Sequence, residues 1–409
     1  MTASFDHDPF PGQPKILFIG LAQSSHTHAW VDLLADSQFN VQLFAMPGGL
    51  PPESWPVKTY VSSPVTGENS GTRRYLYPSI VGKPLLVFDK LAKRFKTPPV
   101  QSPEQWLAAI VRRWQPDIIH TLGMFDDQGG LFYHLAREKY GLQGIGKWIL
   151  QTRGGSDLAL RRHDPELVPV IQKMFTACHQ IISDNSANIH YARQIGIPPE
   201  KFAPIAPVPG TGGVDIAELS KDTLPPSQRE RILLWPKAYE SQWSKALPVL
   251  EAIQMAWDKI QPCEVYLLAM TPETREWFLT LPEPIRAHCH IAGRIERKEV
   301  LALMKRSRVL LIPSLVDGVP NSLYEAMAAG AFPIVSPLDT IQPVVSAGEN
   351  VLFARNLYPD EISAALVRAM NDDPLVDQAA AKNLALVRKI ADREVIRKKV
   401  AQYYSSLAS

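Results

Sequence analysis

The segment 309–336, VLLIPSLVDGVPNSLYEAMAAGAFPIVS, constrains the fold of this chain more than any other stretch. Residues 309–312 form a short continuous apolar run, which is typical of a parallel strand buried on both faces. A helix is predicted to begin near Asn321 or Ser322, just after a proline, and to end before Gly330, the residue type that favours a left-handed cap. Ile334 begins the next strand. The segment therefore predicts a strand–helix–strand unit whose loop lies at the carboxyl end of a sheet, where open α/β folds bind ligands.

Two acids of this segment, Asp317 at the bend and Glu325 one turn into the helix, can point into the same crevice. Between them, the amides of Asn321, Ser322 and Leu323 have no intrahelical acceptor, and the helix dipole adds positive potential. Free amides at a helix N-terminus bind anions. This combination suits a nucleotide sugar, because the amides can take the diphosphate while one carboxylate holds sugar hydroxyls and the other holds the ribose diol.

The same residues also fit a purely local interpretation. Ser322 and Glu325 have the spacing of a capping box, with Ser322 as the N-cap and Glu325 closing back on it. Asp317 and Gly318 fit an ordinary turn. From these residues alone, both interpretations stay open.

The segment resembles the donor-site signature of the family 4 glycosyltransferases, which are retaining enzymes of the GT-B fold. Their pattern is an acid, seven residues, and then Glu followed by Ala-Met-Ala and a glycine. Here it runs from Asp317 to Glu325 and on to Gly330, with Asp317 in a place where the family usually has Glu. The resemblance implies that Glu325 holds the ribose and Asp317 the sugar. It also implies further donor contacts at Ser314, Gly318, Pro320, Asn321, Ser322 and Leu323.

Two cations usually accompany this signature in the family and offset the charge of the diphosphate. One is a lysine that Lys245 matches, and the other is an arginine that is missing from its place in this chain. Lys237 stands close to that place, although a lysine is a point charge and not a guanidinium fork. The family binds the nucleotide base beside a turn that corresponds to Gly293 and Arg294.

The resemblance covers most of the chain and implies two doubly wound, Rossmann-like α/β domains that face a cleft. Residues 1–207 would form the acceptor-binding domain and residues 208–392 the donor-binding domain. Residues 393–409 would form a last helix that packs back on the first domain. The Pro- and Gly-rich stretch 197–224 is the best candidate for a linker.

On the acceptor side, the resemblance and the sequence pattern single out three histidines and one loop. His26 and His28 follow the first predicted strand, and His120 ends a strand that resembles a family strand with a catalytic-side histidine. Arg153 and Asp157 belong to a loop that resembles the family's His-Gly-Ser-Asp loop. The alternatives are that the two early histidines cap or pack on a helix, and that Asp157 caps the helix after a glycine-rich turn.

The segment 83–96, KPLLVFDKLAKRFK, is basic and amphipathic. Phe88, Leu91 and Phe95 fall on one face of a predicted helix. Such a helix can lie on an anionic membrane surface. The alternative is a solvated surface helix that packs on the core.

Composition bounds the remaining possibilities. The chain has 409 residues, of which 45% are hydrophobic, and a formal net charge of +2, so we expect no nucleic-acid partner. Its three cysteines show no CxxC spacing, which favours a reducing compartment. No signal peptide and no membrane span are recognised. We therefore expect a cytoplasmic protein, and the segment 83–96 is the candidate for a contact to the inner face of the membrane.

The sequence thus predicts a retaining glycosyltransferase that moves a sugar from a nucleotide-diphosphate sugar, its co-substrate, to a hydroxyl of a glycan or lipid-linked glycan. Asp317, Glu325, Lys245 and His120 are the predicted catalytic residues, and neither a metal nor a further cofactor is expected. Surface polysaccharide or glycolipid synthesis fits this reaction. Two alternatives stay open: a nucleotide-sugar epimerase on the same fold, and a non-catalytic binding protein.

Overall fold

The computed structural model of the chain describes residues 5–62, 65–78, 101–125 and 128–408. Within these residues, two parallel β-sheets follow one another along the chain. The first sheet contains β1 (Lys15–Gly20), β2 (Asn40–Ala45), β3 (Lys58–Val61), β4 (Arg73–Tyr75), β5 (Ile118–Thr121), β6 (Lys147–Thr152) and β7 (Gln180–Ser183). The second contains β8 (Glu230–Trp235), β9 (Glu264–Leu267), β10 (Cys289–Ile291), β11 (Ser307–Ile312), β12 (Phe332–Val335) and β13 (Leu352–Phe353).

Helices connect the strands and cover both faces of each sheet. In the first half they are α1 (Ser25–Val31), α2 (Pro103–Trp114), α3 (Gly130–Tyr140), α4 (Leu158–Arg161), α5 (Val168–Ala177) and α6 (Ser186–Gln194). From the linker onward they are α7 (Ile216–Ser220), α8 (Leu247–Ile260), α9 (Pro272–Leu279), α10 (Glu283–Arg286), α11 (Arg297–Arg306), α12 (Asn321–Ala329), α13 (Pro359–Asn371), α14 (Asp373–Ile390) and α15 (Arg393–Ala408).

The strand order of both sheets is that of a doubly wound fold. The first sheet reads β4-β3-β2-β1-β5-β6-β7 and the second reads β10-β9-β8-β11-β12-β13. In each, the winding direction reverses beside the first strand, between β1 and β5 and between β8 and β11. Ligands bind at the carboxyl ends of the strands beside such a reversal, so the fold predicts a ligand site at the loops after β1, β8 and β11.

Successive residues of the central strands face opposite sides of the sheet, and both sides are buried. In β1, Leu17 packs into one apolar cluster and Phe18 into another. In β11, Val309 and Leu310 divide in the same way between the two clusters of the second half. All six residues of β11 are buried, so the predicted strand with two buried faces is confirmed.

The last helix, α15, packs against the first sheet through Tyr404. The Tyr404 side chain is fully buried, and its oxygen accepts a hydrogen bond from Trp30 Nε1–H at 3.1 Å. The second polar atom bonded to the Tyr404 hydroxyl is His120 Nδ1. Burial, followed by the charge of Arg153, lowers the pKa of His120 well below its usual value, so the ring is neutral. The end of the chain is thus joined to β5 by a buried polar contact.

Tyr404→Phe is expected to destabilise the protein without changing its shape. The variant leaves the Trp30 indole N–H and the His120 Nδ1 atom buried without a partner, at about 1–3 kcal/mol for each group. Thermal and urea unfolding measure this loss. Tyr358→Phe is the matched control, because Tyr358 is 43% exposed. Equal melting temperatures for the two variants would show that the Tyr404 contact does not stabilise the protein.

The first sheet also extends into a loop-rich part of the first half. Residues 47–61 and 67–78 are rich in Pro, Ser and Gly, yet β3 and β4 extend the first sheet there. These strands are short and flanked by Pro, Ser and Gly residues, which are typical of loops, so the sequence pattern does not predict them. The predicted amphipathic segment 83–96 lies outside the described residues. Among the described helices, none combines the length and the apolar composition that crossing a membrane requires.

Candidate functional site

The loop between β11 and α12 is held in one conformation by bonds to three neighbouring segments. The Ser314 amide donates to Ser336 Oγ at 3.0 Å, and the Leu315 amide donates to the Trp243 carbonyl at 2.7 Å. The Thr340 hydroxyl donates to the carbonyl of Asp317 at 2.9 Å. The loop is therefore a fixed part of the second domain, and it positions the side chain of Asp317.

Helix α12 begins with unoccupied backbone donors. Pro320 is the N-cap residue and supplies no side-chain bond, and the amides of Asn321 and Ser322 have no acceptor among the described residues. The prediction for Leu323 is wrong, because its amide donates to the Pro320 carbonyl at 2.9 Å. The capping-box alternative is also wrong, because the buried Ser322 hydroxyl has no partner in the described part of the chain. Two amides therefore face the crevice as a site for an anion.

Lys237 lies against Asp317 in this crevice. The Lys237 ammonium and Asp317 Oδ2 are 3.2 Å apart, while Asp317 Oδ1 accepts a bond from the Gly318 amide at 2.8 Å. The charge of Asp317 raises the pKa of Lys237, against the lowering effect of burial, and the charge of Glu325 adds to the rise. The structure thus brings together Lys237 and both acids of the sequence signature, and it keeps the lysine charged.

Glu325 has a partner that sequence reasoning missed. Arg297, the first residue of α11, places Nη2 at 2.5 Å from Glu325 Oε1. The Glu325 side chain is 11% exposed and that of Arg297 is 64% exposed. A mostly buried carboxylate is therefore neutralised by a cation that reaches it from the surface.

Lys245 differs from its prediction. Its ammonium is bound to Glu240 at 2.6 Å, and the other oxygen of Glu240 accepts a bond from the Ala246 amide at 3.0 Å. The Lys245 amide donates to Asn356 Oδ1 at 2.7 Å, which fixes this turn. The charge of Lys245 is therefore already offset by a neighbour that the family pattern does not contain.

The predicted base-binding turn is open to solvent. Gly293 and Arg294 are both exposed. The Gly293 carbonyl accepts a bond from the Ala269 amide at 3.0 Å, so the turn is tied to the end of β9. Burial raises the pKa of Tyr239, and the nearby charges of Lys237 and Arg294 oppose this rise. Arg294 thus lies on the same side of the domain as the Lys237–Asp317 pair.

The two domains touch where the loop after β6 meets the loop after β11. A Cβ atom added to Gly154 would lie 1.8 Å from the Gly318 nitrogen, so the two backbones are in direct contact. Asp184 lies beneath this contact, because its Oδ2 accepts a bond from the Gly154 amide at 2.9 Å. Burial raises the pKa of Asp184 to about 7, and the charges of Asp317 and Asp157 contribute. The contact forms the floor of a cleft between the domains.

His26 and Arg153 face this cleft from the first domain. Desolvation lowers the pKa of His26 to about 4, and the charges of Arg153 and Lys237 add to the effect. His26 is an exposed residue, and its ring feels the charges of Lys237 and Asp317 in the second domain, so it lies at the cleft. Arg153 is 9% exposed and donates to Gln151 Oε1 at 3.3 Å. At neutral pH the first domain therefore presents a neutral histidine beside a buried arginine.

Three predicted acceptor-side or catalytic residues have side chains bonded to other groups of the chain. His120 is fully buried against Tyr404 and Trp30. His28 bonds to the Ala22 carbonyl at 2.6 Å through Nε2 and packs on Trp55, as the packing alternative expects. The Asp157 carboxylate accepts bonds from backbone amides of the first domain and makes no capping bond to a helix.

Asp157 ties two loops of the first domain together. Its Oδ1 accepts bonds from the amides of Met124 at 2.9 Å and Phe125 at 3.0 Å, and its Oδ2 accepts one from the Arg153 amide at 2.7 Å. It is 1% exposed, and burial raises its pKa to about 6. Asp157 is the N-cap residue of α4, as one of the two sequence interpretations expects, but its side chain makes no capping bond. Its carboxylate instead positions Arg153.

Sequence signals exist for some of the residues that the prediction missed. Asp184 directly follows β7, and a polar residue at the carboxyl end of a strand is a usable signal in this fold. No sequence signal was available for Arg297 or Glu240. Their pairing with Glu325 and Lys245 depends on how separate elements pack.

Comparison with known proteins agrees with this architecture. Residues 275–384, which include Asp317 and Glu325, match the family model of the glycosyl transferases group 1. No curated protein sequence matches the chain. HepE of Anabaena, solved in complex with UDP and glucose, is 14% identical with a TM-score of 0.68, over 96% of this chain and 100% of that one.

Two further solved structures are similar over almost their whole length. Sucrose-phosphate synthase of Thermosynechococcus elongatus is 16% identical with a TM-score of 0.64, over 97% of this chain and 99% of that one. A glycosyltransferase of Rickettsia africae is 11% identical with a TM-score of 0.62, over 97% and 99% of the two chains. These likenesses show that the chain has the two-domain GT-B fold. The family match supports a sugar-transferring role for the second domain.

Proposed function

We propose that this protein is a retaining glycosyltransferase that moves a sugar from a nucleotide-diphosphate sugar to a hydroxyl acceptor. One observation carries the proposal: Lys237, Asp317 and Glu325 converge beside the free amides of Asn321 and Ser322, at the carboxyl end of β11. Such amides and a cation suit a diphosphate, and two carboxylates suit the hydroxyl groups on either side of it. The match to the glycosyl transferases group 1 over the same residues supports the proposal.

The donor would lie across the start of α12. Its diphosphate would accept bonds from the amides of Asn321 and Ser322 and be attracted by the helix dipole. Glu325 would accept bonds from the ribose diol, and Asp317 from hydroxyls of the sugar. The base would lie beside Gly293 and Arg294. UDP is the first nucleotide to test, because HepE was solved with UDP and glucose.

Catalysis would rest on stabilising the diphosphate as it leaves. Lys237 stays charged beside Asp317 and would meet the growing negative charge together with the two free amides. This arrangement offsets the charge with protein groups, so we propose a reaction that needs no metal. Lys245 would take part only after its bond to Glu240 is broken.

The acceptor would approach from the first domain. His26 is neutral at pH 7, because its pKa is lowered to about 4, and a neutral imidazole can accept a hydrogen bond from the attacking hydroxyl. The configuration at the anomeric carbon is retained if this hydroxyl attacks on the face of the sugar from which the diphosphate leaves. We propose a glycan or lipid-linked glycan as the acceptor. The proposal includes a cytoplasmic location and a membrane contact through residues 83–96, which lie outside the described residues.

A panel of nucleotide sugars tests the donor site. One class among UDP-, GDP-, ADP- and CMP-sugars is expected to raise the free energy of unfolding by about 2.7 kcal/mol at a hundredfold excess over Kd. The resulting rise in melting temperature should be equal with and without magnesium. Release of the nucleoside diphosphate should then depend on an added acceptor, whereas an epimerase would convert the donor sugar without one. If no nucleotide sugar shifted the melting temperature, the donor site would be refuted and a non-catalytic role favoured.

A further inference from the structure

The ion pair between Arg297 and Glu325 occupies the place where the proposed function puts the ribose. Arg297 Nη2 lies 2.5 Å from Glu325 Oε1, and the contact joins the start of α11 to the first turns of α12. Charge-assisted bonds of this kind are strong. A ribose diol that binds Glu325 must therefore compete with a guanidinium for the same carboxylate.

The surroundings of Arg297 place it at the mouth of the cleft. Its charge contributes to the lowered pKa of His26, in the first domain, and to that of Arg393, at the start of α15. Arg393 itself is held by the carbonyls of Thr211 and Ala29 at 2.9 and 2.6 Å. The Arg297 guanidinium thus lies between the donor helix and the first domain, close to other cations. Glu325 is the acid to which it is bonded.

Mobility and charge both favour an exchange of partners. The Arg297 side chain is 64% exposed, so it can turn without displacing the core, whereas Glu325 is 11% exposed. When two ribose hydroxyls replace the guanidinium on Glu325, the buried carboxylate keeps its hydrogen bonds. The freed guanidinium then lies close to the diphosphate, which is joined to the ribose and carries more negative charge than a carboxylate.

We propose that Arg297 is a donor-binding residue that holds Glu325 in the free protein and transfers to the diphosphate when the ribose binds Glu325. It would supply the guanidinium fork that the chain lacks after β8, where Lys237 stands instead. The inference rests on the proposed function, because it requires a nucleotide diphosphate at the start of α12. It assigns Arg297 to the phosphates and not to the nucleoside.

Binding of uridine, UMP and UDP separates these roles. In Arg297→Ala, the affinity for UDP is expected to fall about 10- to 100-fold, as for the loss of a charge-assisted bond. The affinity for uridine should stay unchanged or rise, because Glu325 is no longer occupied. Arg297→Lys should recover part of the UDP affinity. Calorimetric titration measures all three ligands, and the series is repeated with another base if the nucleotide-sugar panel selects one.

Lys298→Ala is the matched control, since Lys298 is the neighbouring residue and its side chain is 79% exposed. Melting temperatures of all variants without ligand show whether each one folds. An equal loss of affinity for uridine and UDP would overturn the inference, because Arg297 would then only hold Glu325 in place. Unchanged affinity for UDP would overturn it as well. If the unmodified protein bound no nucleotide of any base, the proposed function itself would fall, which is a different result from either of these.

Discussion

Glu325→Ala is expected to lower both the affinity for the donor and kcat/KM by about 100-fold or more. The proposed function gives Glu325 two bonds to the ribose diol, and a hydrogen bond to a charged group contributes about 1.5–3 kcal/mol. The side chain is 11% exposed, so water replaces it poorly as a partner of the diol. Isothermal titration with the selected nucleotide and initial rates with donor and acceptor measure the two effects.

The same substitution also frees Arg297 from its ion pair. The affinity for the nucleoside, which has no phosphate, is therefore measured beside the affinity for the diphosphate. A loss that appears for the nucleoside as well as for the diphosphate is expected, because Glu325 is assigned to the ribose. Glu299→Ala is the control, since Glu299 is an exposed acid in the same helix as Arg297. Full activity and donor affinity in Glu325→Ala would show that this site assignment is wrong. The assignment of Asp317 to the sugar would then be unsupported too, because it depends on the ribose lying at Glu325.

Local sequence patterns predicted the elements that carry the site, because short-range physics decides them. The apolar run of β11 sits between polar turns, and Gly330 ends α12 with a φ of 78°, as the left-handed cap requires. The helix begins at Asn321, as predicted. By contrast, β3 and β4 have four and three residues, and the pairing of β3 with β2 and of β4 with β3 decides their formation more than their own composition does.

Side-chain partners in the site could not be predicted, because they join residues from separate elements. Glu325 meets Arg297, 28 residues earlier in the chain, and His120 meets Tyr404, 284 residues later. The family pattern suggested a free lysine at Lys245, but Glu240 occupies it. Residue types in a motif therefore predict which chemistry is available, whereas packing decides which of those groups are free to perform it.

Gly154→Ala is expected to lower kcat/KM by more than about 100-fold while the melting temperature changes little. The added Cβ would lie 1.8 Å from the Gly318 nitrogen and 2.2 Å from its Cα, and real Cβ atoms essentially never come within 3.0 Å of another heavy atom. The obstacle is backbone on the opposite domain, so no side-chain rotation relieves it. Gly154 has no positive φ, and alanine therefore fits its own loop without strain.

The clash acts on the arrangement of the two domains, because another contact across the cleft depends on the same approach. Arg162, in the first domain, donates to both oxygens of Asp339, in the second domain, at 2.7 and 2.6 Å. If the domains cannot meet at Gly154, the spacing of this pair must change as well. His26 would then lie farther from Lys237, and the acceptor hydroxyl farther from the donor sugar. A separation of even about 1 Å can slow a reaction about a hundredfold.

Small-angle scattering and kinetics together test this prediction. We expect a larger radius of gyration for Gly154→Ala than for the unmodified protein, together with near-normal binding of the nucleotide, since the donor residues all belong to the second domain. Gly155→Ala is the control, because a Cβ there meets nothing within 4 Å and its φ of +62° causes only local strain. That control should lose some stability, about 1 kcal/mol, but keep its activity. If Gly154→Ala were as compact and as active as the unmodified protein, the contact between Gly154 and Gly318 would not belong to the working state. Catalysis would then have to occur with the domains farther apart.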